Sequence, residues 1–132
     1  METFNPPPYA KELSVFWTWM GTDGIARTKT KPLAVVTIKE AIENSIAVTE
    51  LYKDKKFPLL VDARNIRSME KEARKHFSTN GRATKINSMA IMVRSPLSRV
   101  IGNFFMGLNK PEMPARLFDD ESYAVEWLKK YI

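Results

Sequence analysis

A chain of 132 residues, 44% hydrophobic and 27% charged, has the size and composition of one globular domain and excludes a disordered or fibrous protein. The absence of cysteine rules out disulfides and thiolate metal sites, and a single histidine, His76, leaves no histidine cluster, so neither a metal nor a cofactor is implied. The net charge of +6 is concentrated between Lys53 and Arg99, where twelve Lys and Arg residues face only Asp54, Asp62, Glu70 and Glu72. That bias favours anionic partners without choosing among phosphate, nucleic acid, acidic protein and lipid headgroup.

The chain begins METFNPPPYAKEL, with no basic stretch leading into an apolar one, and no window reaches the roughly 18 uninterrupted apolar residues of a spanning helix. The expectation is a cytoplasmic protein with no transmembrane segment. Residues 1–10 read as a flexible Pro-rich leader and residues 11–132 as a single domain. ELSVFWTWM predicts one continuous strand, with Leu13, Val15, Trp17 and Trp19 on one face and Ser14, Phe16, Thr18 and Met20 on the other. GTDG then supplies two glycines for a turn, and IARTKT returns as the second strand of an N-terminal β-hairpin. Large apolar residues on both faces of a strand at the sheet edge call for a cover, either the N-terminal arm or another chain, so a homodimer through this hairpin is one expectation.

From Thr37 the period becomes helical. Ile38, Ala41, Ile42, Ser45, Ile46, Thr49 and Tyr52 fall on one stripe, with Thr37 and Glu40 spaced as a capping box. FPLLVDA is apolar on both faces, as a central parallel strand is, with Pro58 confined to its start. Ser68 is expected to cap a helix carrying Met69, Ala73 and Phe77 and ending near Gly81. SMAIMVRS predicts another buried strand, and Ser95 and Pro96 open a helix with Leu97, Val100, Ile101, Phe104, Phe105 and Leu108 on one stripe. A short ARLF strand follows, and Asp119 is expected to cap a last helix packing through Ala124, Trp127, Leu128 and Tyr131. A hairpin followed by alternating helices and strands gives an α/β fold, with a mixed, mostly parallel sheet of about five strands and about four packed helices.

The stretches PLLVDAR, MAIMVRSPLSRVIGNFF and NKPEMPARLFDDESYAVEWL resemble the small bacterial SpoIIAA-like proteins of STAS/Sec14 type, relatives in fold of the anti-sigma-factor antagonists. The resemblance runs from about Ile25 to the C-terminus and is most specific from Ser95 to Leu128. It implies a STAS-like domain with a non-enzymatic role in binding a protein or small ligand. In the regulatory antagonists a serine in a DSSG-like motif at a helix start is phosphorylated to break a partner complex. The matching place here, DARNIRSMEKEA, offers Ser68 as phosphoacceptor but has neither the paired serines nor the glycine.

Two clusters are candidate ligand or partner sites: Asp62, Arg64, Arg67 and Ser68, and Ser95, Ser98 and Arg99. Asp62 lies just beyond a parallel strand's carboxyl end, where open α/β sheets bind ligands. It could serve as a general base, yet no second carboxylate or histidine accompanies it in sequence, and the plainer reading is a carboxylate bonded to backbone N–H groups or to an arginine. Ser68 beside Arg64 and Arg67 would accommodate a phosphate, or would simply cap its helix. Ser95, Ser98 and Arg99 surround a helix start suited to phosphate or carboxylate, although no glycine-rich nucleotide loop is present. The resulting expectation is a non-catalytic STAS-like binding or regulatory module for a protein partner or anionic ligand. The alternatives are a lipid or apolar small-molecule binder lined by the Phe104 and Phe105 helix and, below that, an enzyme using Asp62. Nucleic-acid binding ranks last because no helix-turn-helix or RNA-binding motif accompanies the charge.

Overall fold

The computed structural model describes residues 4–79, 85–96, 99–100 and 114–132. In chain order the elements are β1 (Lys11–Glu12), β2 (Phe16–Met20), β3 (Ala26–Thr30), β4 (Ala34–Val36), α1 (Ile38–Glu50), β5 (Phe57–Asp62), β6 (Ile66–Met69), α2 (Lys71–Thr79), β7 (Ile86–Met92), β8 (Ala115–Phe118) and α3 (Glu121–Leu128), with a 3₁₀ turn over Lys129–Tyr131. Six strands form one sheet in the order β1-β2-β3-β5-β7-β8. The pairs β1/β2 and β2/β3 are antiparallel; β3, β5, β7 and β8 run parallel.

The predicted hairpin forms as expected. Gly24 takes a positive φ of 84°, which its missing Cβ permits, and Gly21 N–H donates to Ile25 O at 2.8 Å to close the turn. Alternation then sorts the strands: Phe16, Thr18, Ala26, Thr28 and Thr30 point into the core. Trp17 and Trp19 lie on the opposite face, where the Phe4 ring packs at 5.0 Å and 5.8 Å between centroids. The cover that the hairpin calls for thus comes from the N-terminal arm of the same chain, and β1 occupies the edge beyond β2. The continuous strand expected over ELSVFWTWM is broken at Leu13–Val15. Leu13 N–H turns back to Phe16 O (2.8 Å), and Ser14 is drawn to the Glu43 carboxylate by its amide (3.1 Å) and its hydroxyl (2.8 Å).

β5 and β7 are buried on both faces because helices cover both sides of the sheet. On one side Ala41, Ala47 and Val48 of α1 and Ala73 of α2 pack against Phe16, Leu59, Met89 and Ile91. On the other, Ala124 and Leu128 of α3 close over Ile25, Leu60, Ala90 and Met92. Among the described residues no helix is long and apolar enough to cross a membrane.

Three further expectations are overturned. The isoleucines of α1 face outward: Ile38, Ile42 and Ile46 are 37%, 43% and 55% exposed, while Ala41, Asn44, Ala47 and Val48 face the sheet. Close approach of α1 to the sheet requires small side chains on its inner face, so size, not hydrophobicity, selects the buried stripe. Ser68 is not a helix cap. Residues 66–69 form β6, paired in parallel with β4 as a second, two-stranded sheet; Glu70 N–H donates to Val36 O (3.0 Å), and α2 begins only at Lys71. The cap of α3 is Asp120, one residue beyond the expected Asp119; its carboxylate accepts from Ser122 N (2.9 Å) and Tyr123 N (3.3 Å). The Thr37–Glu40 capping box closes as expected, with the Glu40 carboxylate accepting from Thr37 N (3.0 Å) and Thr37 Oγ1 (2.7 Å).

Candidate functional site

The parallel strands β3, β5, β7 and β8 end on one edge of the sheet, and their ends bring together residues far apart in sequence. Asp62 terminates β5 opposite Lys29 of β3. The residue is buried and its carboxylate is fully engaged. Lys29 Nζ donates to Oδ2 at 2.7 Å, Arg64 Nη2 to Oδ2 at 2.8 Å, Arg64 Nε to Oδ1 at 3.0 Å and Arg64 N to Oδ1 at 3.1 Å. Burial pushes this carboxyl up, but the hydrogen bonds from Arg64 and Lys29 and the Lys29 charge more than reverse the effect, so it is held below the usual aspartate range. A carboxylate held ionised by four donors anchors two cations at the end of β5.

Arg94 leaves the end of β7 and donates to Asn65 Oδ1 at 2.7 Å, tying the β7 exit to the loop after β5. Ser95 follows, and the chain turns helical at Pro96, where Arg99 N–H donates to Ser95 O at 3.0 Å. Ser95 therefore stands at the helix start that its sequence predicts. Ser98, Phe104 and Phe105 lie outside the described residues, as does Gly81.

Arg99 is exposed and meets β8: with Arg116, Leu117, Phe118, Asp119 and Tyr123 it lines an open concavity of about 310 Å³. The Arg116 guanidinium stacks 5.2 Å from the Phe118 ring centroid, which orients it without neutralising it. Arg116 and Tyr123 were not among the sequence-derived candidates. The sequence signal for Arg116 is the ARLF strand, whose alternation places it on the exposed side; Tyr123 lies in the first turn of α3 and carries no such signal.

Arg67 and Ser68 do not join this edge. They project outward from β6 and are both exposed, with Ser68 in register with Val35 of β4. The sequence cluster Asp62–Ser68 is thus two places: Asp62 and Arg64 at the sheet edge, Arg67 and Ser68 on the small β4–β6 ribbon. Glu70, one of the four acids within the basic stretch, uses its carboxylate to accept from Ile38 N (2.7 Å) and so helps cap α1 from another element.

Between the sheet and helices α1 and α2 lies a cavity of about 30 Å³ whose lining includes Thr28, Thr30, Asn44, Phe77 and Met89. Asn44 Nδ2 donates to Thr18 Oγ1 (2.9 Å) and Thr28 Oγ1 (3.3 Å), while its Oδ1 is buried without a hydrogen-bond partner among the described residues. This space suits a water or two; it is far short of the ~150 Å³ void that takes up benzene.

The sequence matches a protein family over residues 18–132, that described as Domain of unknown function (DUF7793). The chain belongs to the DUF7793 family. No curated protein matches it. Among solved structures, this DUF7793 chain is similar to an uncharacterised DUF3478-family protein with a SpoIIAA-like fold from Shewanella loihica PV-4. The TM-score is 0.62 at 13% identity, covering 86% of this chain and 91% of that one. The fold is therefore SpoIIAA-like, as the sequence resemblance implies. A protein of unknown function from Arthrobacter sp. FB24 shares 30% identity over 84% of this chain and 96% of its own, with a TM-score of 0.32.

Proposed function

We propose that this DUF7793 protein is a non-catalytic binding module that recognises an anionic group, carried by a protein partner or a small ligand, at the strand-end edge of its sheet. The observation that carries the reading is the meeting of Arg99 and Arg116 with Tyr123 in one open concavity. Two guanidiniums and a phenol offer planar, multidentate donors to a carboxylate or phosphate. Asp119 in the same lining sets a limit, favouring a ligand whose anionic group sits between the arginines and away from that carboxylate. Lys29 and Arg64 add positive potential along the same edge while holding Asp62, which supports a structural role for that aspartate over acid–base chemistry.

The test is calorimetric titration of the intact chain with inorganic phosphate and, separately, with acetate, at low ionic strength. Saturable binding that weakens at least tenfold in Arg99→Ala and in Arg116→Ala is expected. No heat with either anion, or binding indifferent to both substitutions, refutes the reading. Ser68, exposed beside Arg67, stays a candidate phosphoacceptor on a different face; intact mass spectrometry of protein purified from its own cells tests it.

A further inference from the structure

α1 is apolar on two opposite faces. The inner one, Ala41, Ala47 and Val48, packs on the sheet; the outer one, Ile38, Ile42 and Ile46, forms a stripe with four-residue spacing in contact with solvent. Isoleucine is neither the helix former nor the solvated residue that an exposed helix face favours, so three in one row need a cover. The four-residue ridge is also the surface that a second helix packs into.

The flank beside the stripe identifies that second helix. Lys39, Glu43 and Glu50 share one flank of α1; Glu43, at its middle, is already held by the Ser14 amide and hydroxyl, which leaves Lys39 and Glu50 near the two ends. A two-fold axis perpendicular to two antiparallel helices keeps the same flank of each facing the other and reverses their direction. The register that sets Ile42 against the partner's Ile46 then brings Lys39 beside the partner's Glu50, twice by symmetry. Glu50 already meets Lys11 at 3.0 Å, but both side chains are more than half exposed, so that pair is weak and can be shared. We propose that a second copy of this chain docks here, α1 antiparallel to α1, through the Ile38–Ile42–Ile46 stripe with Lys39–Glu50 pairs at its ends. The surface lies on the outer side of the helical layer and is independent of the arginine concavity.

Sedimentation equilibrium of the full chain tests it, with protein from about 1 µM to about 200 µM, since dimerisation follows mass action. The mass should rise with concentration from 15.2 kDa towards twice that value. Ile42→Glu should raise the dissociation constant at least tenfold with circular dichroism unchanged, because the side chain makes up none of the core. Lys39→Glu should weaken association, and Lys39→Glu combined with Glu50→Lys should restore it, which a general loss of folding would not do. A monomer across the whole range, a dimer indifferent to Ile42→Glu, or a charge exchange that fails to restore association overturns the proposal.

Discussion

Replacing Asp62 by Asn tests whether the β5 terminus is an anchor for its two cations. The carboxylate has 7% of its side-chain surface exposed, against 15% for Lys29 and 25% for Arg64. Removing one partner of a buried ion pair costs about 3–5 kcal/mol, because the remaining charges lose their counter-charge without regaining water. Here Arg64 can swing partly into solvent and the asparagine carbonyl still accepts one hydrogen bond, so Asp62→Asn should cost about 2–4 kcal/mol at pH 7. For a domain of this size that lowers Tm by roughly 10 °C. The pH dependence carries a sign. The folded-state pKa of Asp62 is depressed, so its contribution is fully present above the unfolded aspartate value near pH 4 and is lost as pH falls through the lower folded value. Urea denaturation of both proteins from pH 7 downward should therefore show a constant gap to about pH 4 and a narrowing gap below it. A cost under about 1 kcal/mol at pH 7, or a gap that does not narrow in acid, refutes the assignment.

Other expectations concern the backbone and a helix cap. Leu33 sits at φ 58°, 71% exposed, in the turn that Ala34 N–H closes onto Lys31 O at 3.1 Å. Its side chain therefore contributes little packing to offset left-handed strain. Leu33→Gly should stabilise the fold by about 0.5–1 kcal/mol after glycine's entropy is subtracted, and a lower urea midpoint would refute this. Gly21 lies so close to its own hairpin that an added Cβ would stand 2.8 Å from Ile25 O and would displace the Arg27–Asp23 pair; Gly21→Ala should cost about 1–3 kcal/mol in thermal melts. Thr37→Ala opens the capping box of α1 and should cost about 1 kcal/mol by chemical denaturation, with no loss counting against the cap.

Local chemistry made much of this fold legible in advance. Two glycines around an aspartate marked the hairpin, Thr37 and Glu40 marked the start of α1, and continuous apolar runs marked β5 and β7 as strands covered on both faces. All are governed by contacts within a few residues or by a periodicity that survives in one dimension. The readings that failed depended on a distant neighbour. Ser68 looked like a cap until β4, more than thirty residues earlier, took residues 66–69 into a ribbon. Asp119 and Asp120 are equivalent in sequence, and only the course of the chain leaving β8 chose between them.

The candidate site divides in the same way. That Asp62 ends a strand and that arginines follow it could be read from the chain, and so could the helix start at Ser95. Which arginines meet could not. Arg99 joins Arg116 and Tyr123 because parallel strands end on a common edge, whereas Arg67 leaves for another face although it lies only three residues from Arg64. The stripe on α1 is the clearest case: hydrophobic period alone identified isoleucine as the apolar stripe, and the sheet, approached closely, admitted alanine and valine instead. Sequence determined which segments become helix or strand and where charge accumulates, because those follow from local sterics and composition. Tertiary structure decided which face is buried and which cations converge, because both depend on distances between elements that no local pattern encodes.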